Sequence, residues 1–138
     1  MAALRQAGVF RIAFPTSMGG PEMSLADQVR LIATLSEANP SVAWNVMILA
    51  DSGYFAGRLN PAAARTIWPD LDMATSAVRN PAGRAERVDG GYRLTGRFAF
   101  VSGIHNADRV SLPCYLYDGD EVALGADGQP ELHVAFPS

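Results

Sequence analysis

The side chains best suited to chemistry crowd into one short stretch, where Phe100 precedes Ser102, Gly103 and His105. A serine hydroxyl donates and accepts hydrogen bonds. An unperturbed histidine titrates near neutrality, so His105 is suited to act as an acid or a hydrogen-bond donor beside a bound ligand. Taken alone, Ser102-Gly103 also reads as a strand end with a turn, and His105, among Gly103, Asn106 and Asp108, as a solvated loop residue. Cys114 lies in an apolar run with no cation beside it and no companion at metal-ligand spacing, so it reads as a small buried hydrophobe and no metal site is expected. Gly19-Gly20-Pro21 lacks the Lys and following Ser or Thr of a phosphate-binding loop and reads as a turn. Trp44 and Trp68 read as core anchors, Asp51 as a paired core acid or a pocket group, and His133 as a strand surface residue.

These residues need a scaffold, and the composition is that of one. The 138 residues are 49% hydrophobic and 18% charged, with a net charge of -3. No basic run offers a footprint for nucleic acid or anionic lipid. The apolar run from Val42 to Ala50 is too short to span a bilayer, and the N-terminus has no signal-peptide pattern. With a single cysteine, a reducing, cytoplasmic location is expected.

The hydrophobic period changes near Trp68-Pro69, giving a helical part over residues 1–69 and a strand-patterned part over 70–138. Ser24 with Asp27 predicts a capped helix whose apolar positions Leu25, Val29, Ile32 and Leu35 recur at helical spacing, stopped at Asn39-Pro40. A second helix starts at Ser41 and is apolar nearly all round from Val42 to about Gly53, which predicts burial and asks for more helical cover than this sequence supplies. A third starts at Asn60-Pro61 and ends before Pro69. Beyond Leu71, Asp89-Gly90-Gly91 predicts a hairpin between 84–88 and 92–101, with Tyr92, Leu94, Phe98 and Phe100 on one face. Residues 110–117 and 132–136 predict further strands. The fold class is α+β: N-terminal helices followed by an antiparallel, β-barrel-like domain.

Three segments in order, AGVFRIAFPTSMGGPEMS (7–24), SVAWNV (41–46) and GRAERVDGGYRLTGRFAFVSGIHNAD (83–108), carry a resemblance to the acyl-CoA dehydrogenases. The pattern is most similar to the branch of flavin-dependent monooxygenases of aromatic compounds. The resemblance implies N-terminal helices, a flavin-cradling β-domain and a C-terminal four-helix bundle, assembled as a tetramer. The chain is then a truncated form without the bundle, which in the dehydrogenases supplies the catalytic carboxylate. It also implies FAD, or alternatively FMN, with Ser102 hydrogen-bonding near flavin N5, Gly103 beside it and Phe100 packing near the ring. Ala77, Val78 and Arg79 would lie along the pyrimidine edge.

Where the dehydrogenases carry Thr-Glu-Pro-x-x-Gly-Ser, this chain has Val78-Arg79-Asn80-Pro81-Ala82-Gly83-Arg84, and Arg109 replaces a frequent aromatic. The implied function is oxidation of the CH-CH group of an acyl-CoA-type or related small-molecule substrate, with an electron-transfer acceptor. The alternative is a two-component monooxygenase hydroxylating an aromatic substrate, with a flavin reductase as partner. A second alternative is a catalytically silent module.

Overall fold

The computed structural model describes residues 1–137. The chain folds into two compact units. One comprises Met1–Ser76 with Ser102–Arg109, the other Ala77–Val101 with Val110–Ser138.

The first unit is helical: α1 (Ala2–Gln6), α2 (Leu25–Ala38), α3 (Pro40–Leu49), α4 (Ser52–Ala56) and α5 (Pro61–Ile67). Local side chains set their starts. The Ser24 hydroxyl accepts from the Asp27 amide at 3.2 Å and donates to the Asp27 carboxylate at 2.6 Å. Asn39 accepts from the amides of Ser41 and Val42, and Asn60 from that of Ala62, each ahead of a proline at the first helical position. The Ser24 bond, with Arg30 behind it, pulls the Asp27 carboxyl below its ordinary range. The core gathers Val9, Phe10, Ile12, Val46, Leu49, Ala50 and Ala74, with Leu31, Ile32 and Leu35 of α2 packed against it.

Two expectations for the helices are corrected. The helix from Ser41 to about Gly53 is in fact α3 and α4, broken at Ala50-Asp51, where the short polar side chain of Asp51 favours a helix boundary over a helix interior. Nor is α3 buried all round. Ala43, Val46 and Leu49 are buried, but Trp44 is 53% and Met47 43% exposed, so Trp44 is no core anchor.

The second unit is built on a sheet. Its strands are β2 (Gly83–Val88), β3 (Gly91–Gly96), β4 (Arg109–Asp118), β5 (Glu121–Val122) and β6 (Leu132–Ala135); β1 (Thr75–Ala77) ends in this unit. The order is β1-β4-β2-β3, with β5 and β6 each paired to β4. The hairpin is as expected, Val88 facing Gly91 across Asp89-Gly90, with Gly90 at φ +81°.

The barrel-like, antiparallel expectation is corrected. The sheet is open, with β3 at its edge, and β2 runs parallel to β4 in the register Gly83 with Cys114 to Glu86 with Tyr117. A period of two fixes which face a residue takes and says nothing of a neighbour's direction. The second hairpin strand also stops at Gly96, short of Val101, and the expected face dissolves. Leu94 and Phe98 pack on the core of Ala85, Cys114 and Leu116, whereas Phe100 points away from it.

Cys114 is fully buried, and burial pushes its thiol pKa up. The native chain is therefore expected to react with an aromatic disulfide reagent at least a hundredfold more slowly than the denatured chain, of order the cost of opening a stable sheet. Equal rates in native and denaturing buffer would show that this core is open.

Candidate functional site

The segment Ser102–Arg109 belongs to the helical unit, and it is held there at both ends. Ser102 is half-buried, and its carbonyl accepts a hydrogen bond at 2.7 Å from the hydroxyl of the fully buried Ser76. Gly103 takes the left-handed conformation at φ +77°, and a β-carbon there would sit 2.9 Å from the Leu49 side chain, so only glycine both turns the chain and seats it on the end of α3. Ile104–Asn106 forms a short 3-10 turn, closed by the Asn106 amide on the Gly103 carbonyl at 2.8 Å. His105 is exposed on this turn.

At the far end the Asp108 carboxylate accepts from the Ala74 amide at 2.8 Å and pairs with Arg5 at 2.6 Å, while the amides of Asp108 and Arg109 both donate to the Ala74 carbonyl. Arg5 also donates to the Asp72 carbonyl, and Arg11 forms a two-pronged pair with the Asp72 carboxylate. That hydrogen bond, reinforced by the Asp72 charge, raises the Arg11 pKa. Ser76 and Asp108 were not visible in the sequence as site residues, because their partners lie 26 and 34 residues away.

The other sequence-predicted residues lie in the sheet unit. Ala77 closes β1, and the Val78 amide donates to the Ser111 carbonyl at 3.1 Å; both side chains are half-buried, and Arg79 is exposed. Phe100 is the outlier. It holds a left-handed backbone at φ +58° with 95% of its surface exposed. A phenylalanine in that region costs about 1 kcal/mol and gains no packing within the chain in return.

Each unit carries a groove. The first, of about 360 Å³, runs between α2 and α3–α4 and is lined mainly by Leu25, Val29, Ile32 and Met47, with the Tyr54 hydroxyl bonded to Gln28 at its edge. The second, of about 330 Å³, lies on the sheet against Tyr92, Leu94 and His133. There His133 is half-buried rather than on the strand surface, 2.7 Å from Glu131 with its ring tilted on Tyr92. Asp51 lines the first groove and His133 the second, whereas neither groove includes Ala77, Val78, Arg79, Phe100, Ser102, Gly103 or His105. Among the described residues no cluster of His, Cys, Asp and Glu is arranged to hold a metal, and no helix is long and apolar enough to cross a membrane.

No family model matches the chain. It is similar to the oxygenase component of FADH2-dependent resorcinol hydroxylase from Rhizobium sp. (strain MTP-10005), 36% identical over 110 residues, which is 78% of this chain and 26% of that protein. It is also similar to the oxygenase component of p-hydroxyphenylacetate 3-hydroxylase from Acinetobacter baumannii, 30% identical over 118 residues, 85% of this chain and 28% of that one. Among solved structures, XiaF from Streptomyces sp. in complex with FADH2 and glycerol superposes with a TM-score of 0.77 at 27% identity, over 96% of this chain and 33% of that one. The chain thus spans about a quarter to a third of the length of these relatives.

Proposed function

We propose that this chain is the flavin-facing part of the oxygenase component of a two-component monooxygenase, one that receives reduced flavin from a separate reductase and hydroxylates an aromatic substrate. The observation that carries the reading is Phe100, a strained and bare aromatic two residues before Ser102. Backbone strain at an exposed aromatic is maintained where the side chain has a partner outside the chain, and the flat face of an isoalloxazine ring is such a partner. The similarity to two oxygenase components and to a structure holding FADH2 supports it. The loop 78–84, without the glutamate and serine of the thioester dehydrogenases, favours hydroxylation over oxidation of an acyl-CoA.

When bound, reduced flavin supplies the activation of dioxygen. This chain's residues bind and orient. The Ser102 hydroxyl would hold the flavin by a hydrogen bond near N5, Phe100 would pack on its ring, and Gly103 would keep the turn close. Ala77, Val78 and Arg79 would hold its pyrimidine edge, and His105 is the candidate proton donor towards the substrate. FAD is the first choice of flavin and FMN the second. The intact protein is a homo-oligomer, a tetramer by the family resemblance.

Titration of reduced and oxidised FAD and FMN into the chain, read by flavin fluorescence, tests the reading. Saturable binding is expected, weakened about tenfold by Ser102→Ala, of order one hydrogen bond to a polarised group. Binding that Ser102→Ala and Phe100→Ala leave unchanged would overturn the assignment of both residues.

A further inference from the structure

We infer that Ser76 is a positioning residue for Ser102, with Asp108 as its counterpart at the other end of the loop. The inference rests on the reading of Ser102 as a flavin contact. Ser76 has no exposed surface, and its hydroxyl is spent on the Ser102 carbonyl, 2.7 Å away. A buried serine hydroxyl satisfies itself most simply on the carbonyl of a nearby residue of its own segment. Here it reaches the one residue of this loop whose own hydroxyl is assigned chemistry.

The effect on Ser102 follows from geometry. With its carbonyl held, the orientation of the residue's peptide plane is fixed, and only one rotatable bond remains between the backbone and the hydroxyl oxygen. Two residues before Ser76, Ala74 makes three hydrogen bonds with the loop's other end: its amide to the Asp108 carboxylate, and its carbonyl to the amides of Asp108 and Arg109. Arg5 holds that carboxylate at 2.6 Å. The segment Ala74–Ser76 is therefore a rail against which both ends of the loop are pinned, and Gly103 on Leu49 supplies the third point. Three points define an orientation, and a hydroxyl aimed at one atom of a ring needs that definition.

The test is a double-mutant cycle on flavin binding with Ser76→Ala, Ser102→Ala and both together, reading the dissociation constant and the visible absorption band of bound oxidised flavin. Ser76→Ala is expected to weaken binding about threefold to tenfold, the range set by one lost hydrogen bond, and to move the band in the same direction as Ser102→Ala. In the double variant, binding is expected to stay within about twofold of Ser102→Ala alone, because Ser76 acts only through that hydroxyl. Effects that multiply, or a Ser76→Ala protein with an unchanged constant and band, would overturn the inference while leaving the Ser102 reading in place. A silent Ser102→Ala would overturn the reading itself and the inference with it. Should Ser76→Ala fail to fold, Asp108→Asn decides by the same cycle, since it keeps an oxygen for the Ala74 amide and gives up the charge that Arg5 holds.

Discussion

Replacing Gly53 by alanine is expected to destabilise the helical unit by about 3 kcal/mol or more, since overpacking costs 1–3 kcal/mol even where side chains are free to give way. Here they are not. A β-carbon at Gly53 would lie 2.1 Å from the carbonyl carbon of Ala13 and 2.3 Å from the Phe14 nitrogen, both backbone atoms. That backbone is itself fixed, because Phe10, Ile12 and Phe14 on the same stretch are core residues. Alanine favours helix over glycine by about 1 kcal/mol, the opposite sign, so steric conflict and helix propensity make opposing predictions and the larger decides. Gly57, four residues on in the same local structure, is the control: an alanine there meets nothing closer than 3.5 Å and should change stability little. Denaturant unfolding followed by circular dichroism reads both. A Gly53→Ala midpoint no lower than that of Gly57→Ala would mean that α4 does not lie against residues 13–14.

The second large effect is at Trp68, the largest fully buried side chain. Its indole meets the Phe14 ring edge-on, with centroids 5.9 Å apart, and its Nε1 donates to the Thr75 hydroxyl at 3.0 Å. Trp68→Ala removes both, and a loss of about 3–5 kcal/mol is expected from the cavity alone. Thr75 is 2% exposed, so losing its partner adds about 1 kcal/mol or more. The two contributions separate experimentally. Trp68→Phe keeps most of the packing and strands the Thr75 hydroxyl; pairing it with Thr75→Val removes the stranded group and should recover part of the loss in thermal unfolding. If the pair is no more stable than Trp68→Phe, the hydrogen bond contributes little and packing carries the whole effect.

Both residues illustrate how far the sequence could be read. Trp68 reads correctly as a core anchor from its type and place, but Trp44, a tryptophan on a more apolar helix, does not: it is exposed because α3 is covered on one side only. Residue type sets a preference for burial, and the neighbours available in space decide whether it is met. Gly53 gave no signal of its importance, since the backbone it meets is 40 residues earlier in the chain, too distant to be read from spacing.

What the sequence by itself determined is whatever rests on contacts a few residues apart. The side-chain caps at Ser24 and Asn60, the helix stop at Asn39-Pro40, the hairpin turn at Asp89-Gly90 and the α+β class all follow from local hydrogen bonding, backbone preference and hydrophobic period. The stretch that carries Phe100, Ser102 and His105 stands out in the sequence as residue types in a recognisable order, and its role at a flavin is a proposal. Tertiary structure alone decided the rest. It ran β2 parallel to β4, took the chain out of the strand at Gly96, and brought residues 102–109 back to the helical unit. It also supplied Ser76 and Asp108 to hold that loop. The physical reason is common to all of these: strand direction, loop anchoring and close backbone approach are set by partners far along the chain, and a one-dimensional pattern records only which face or turn a residue prefers.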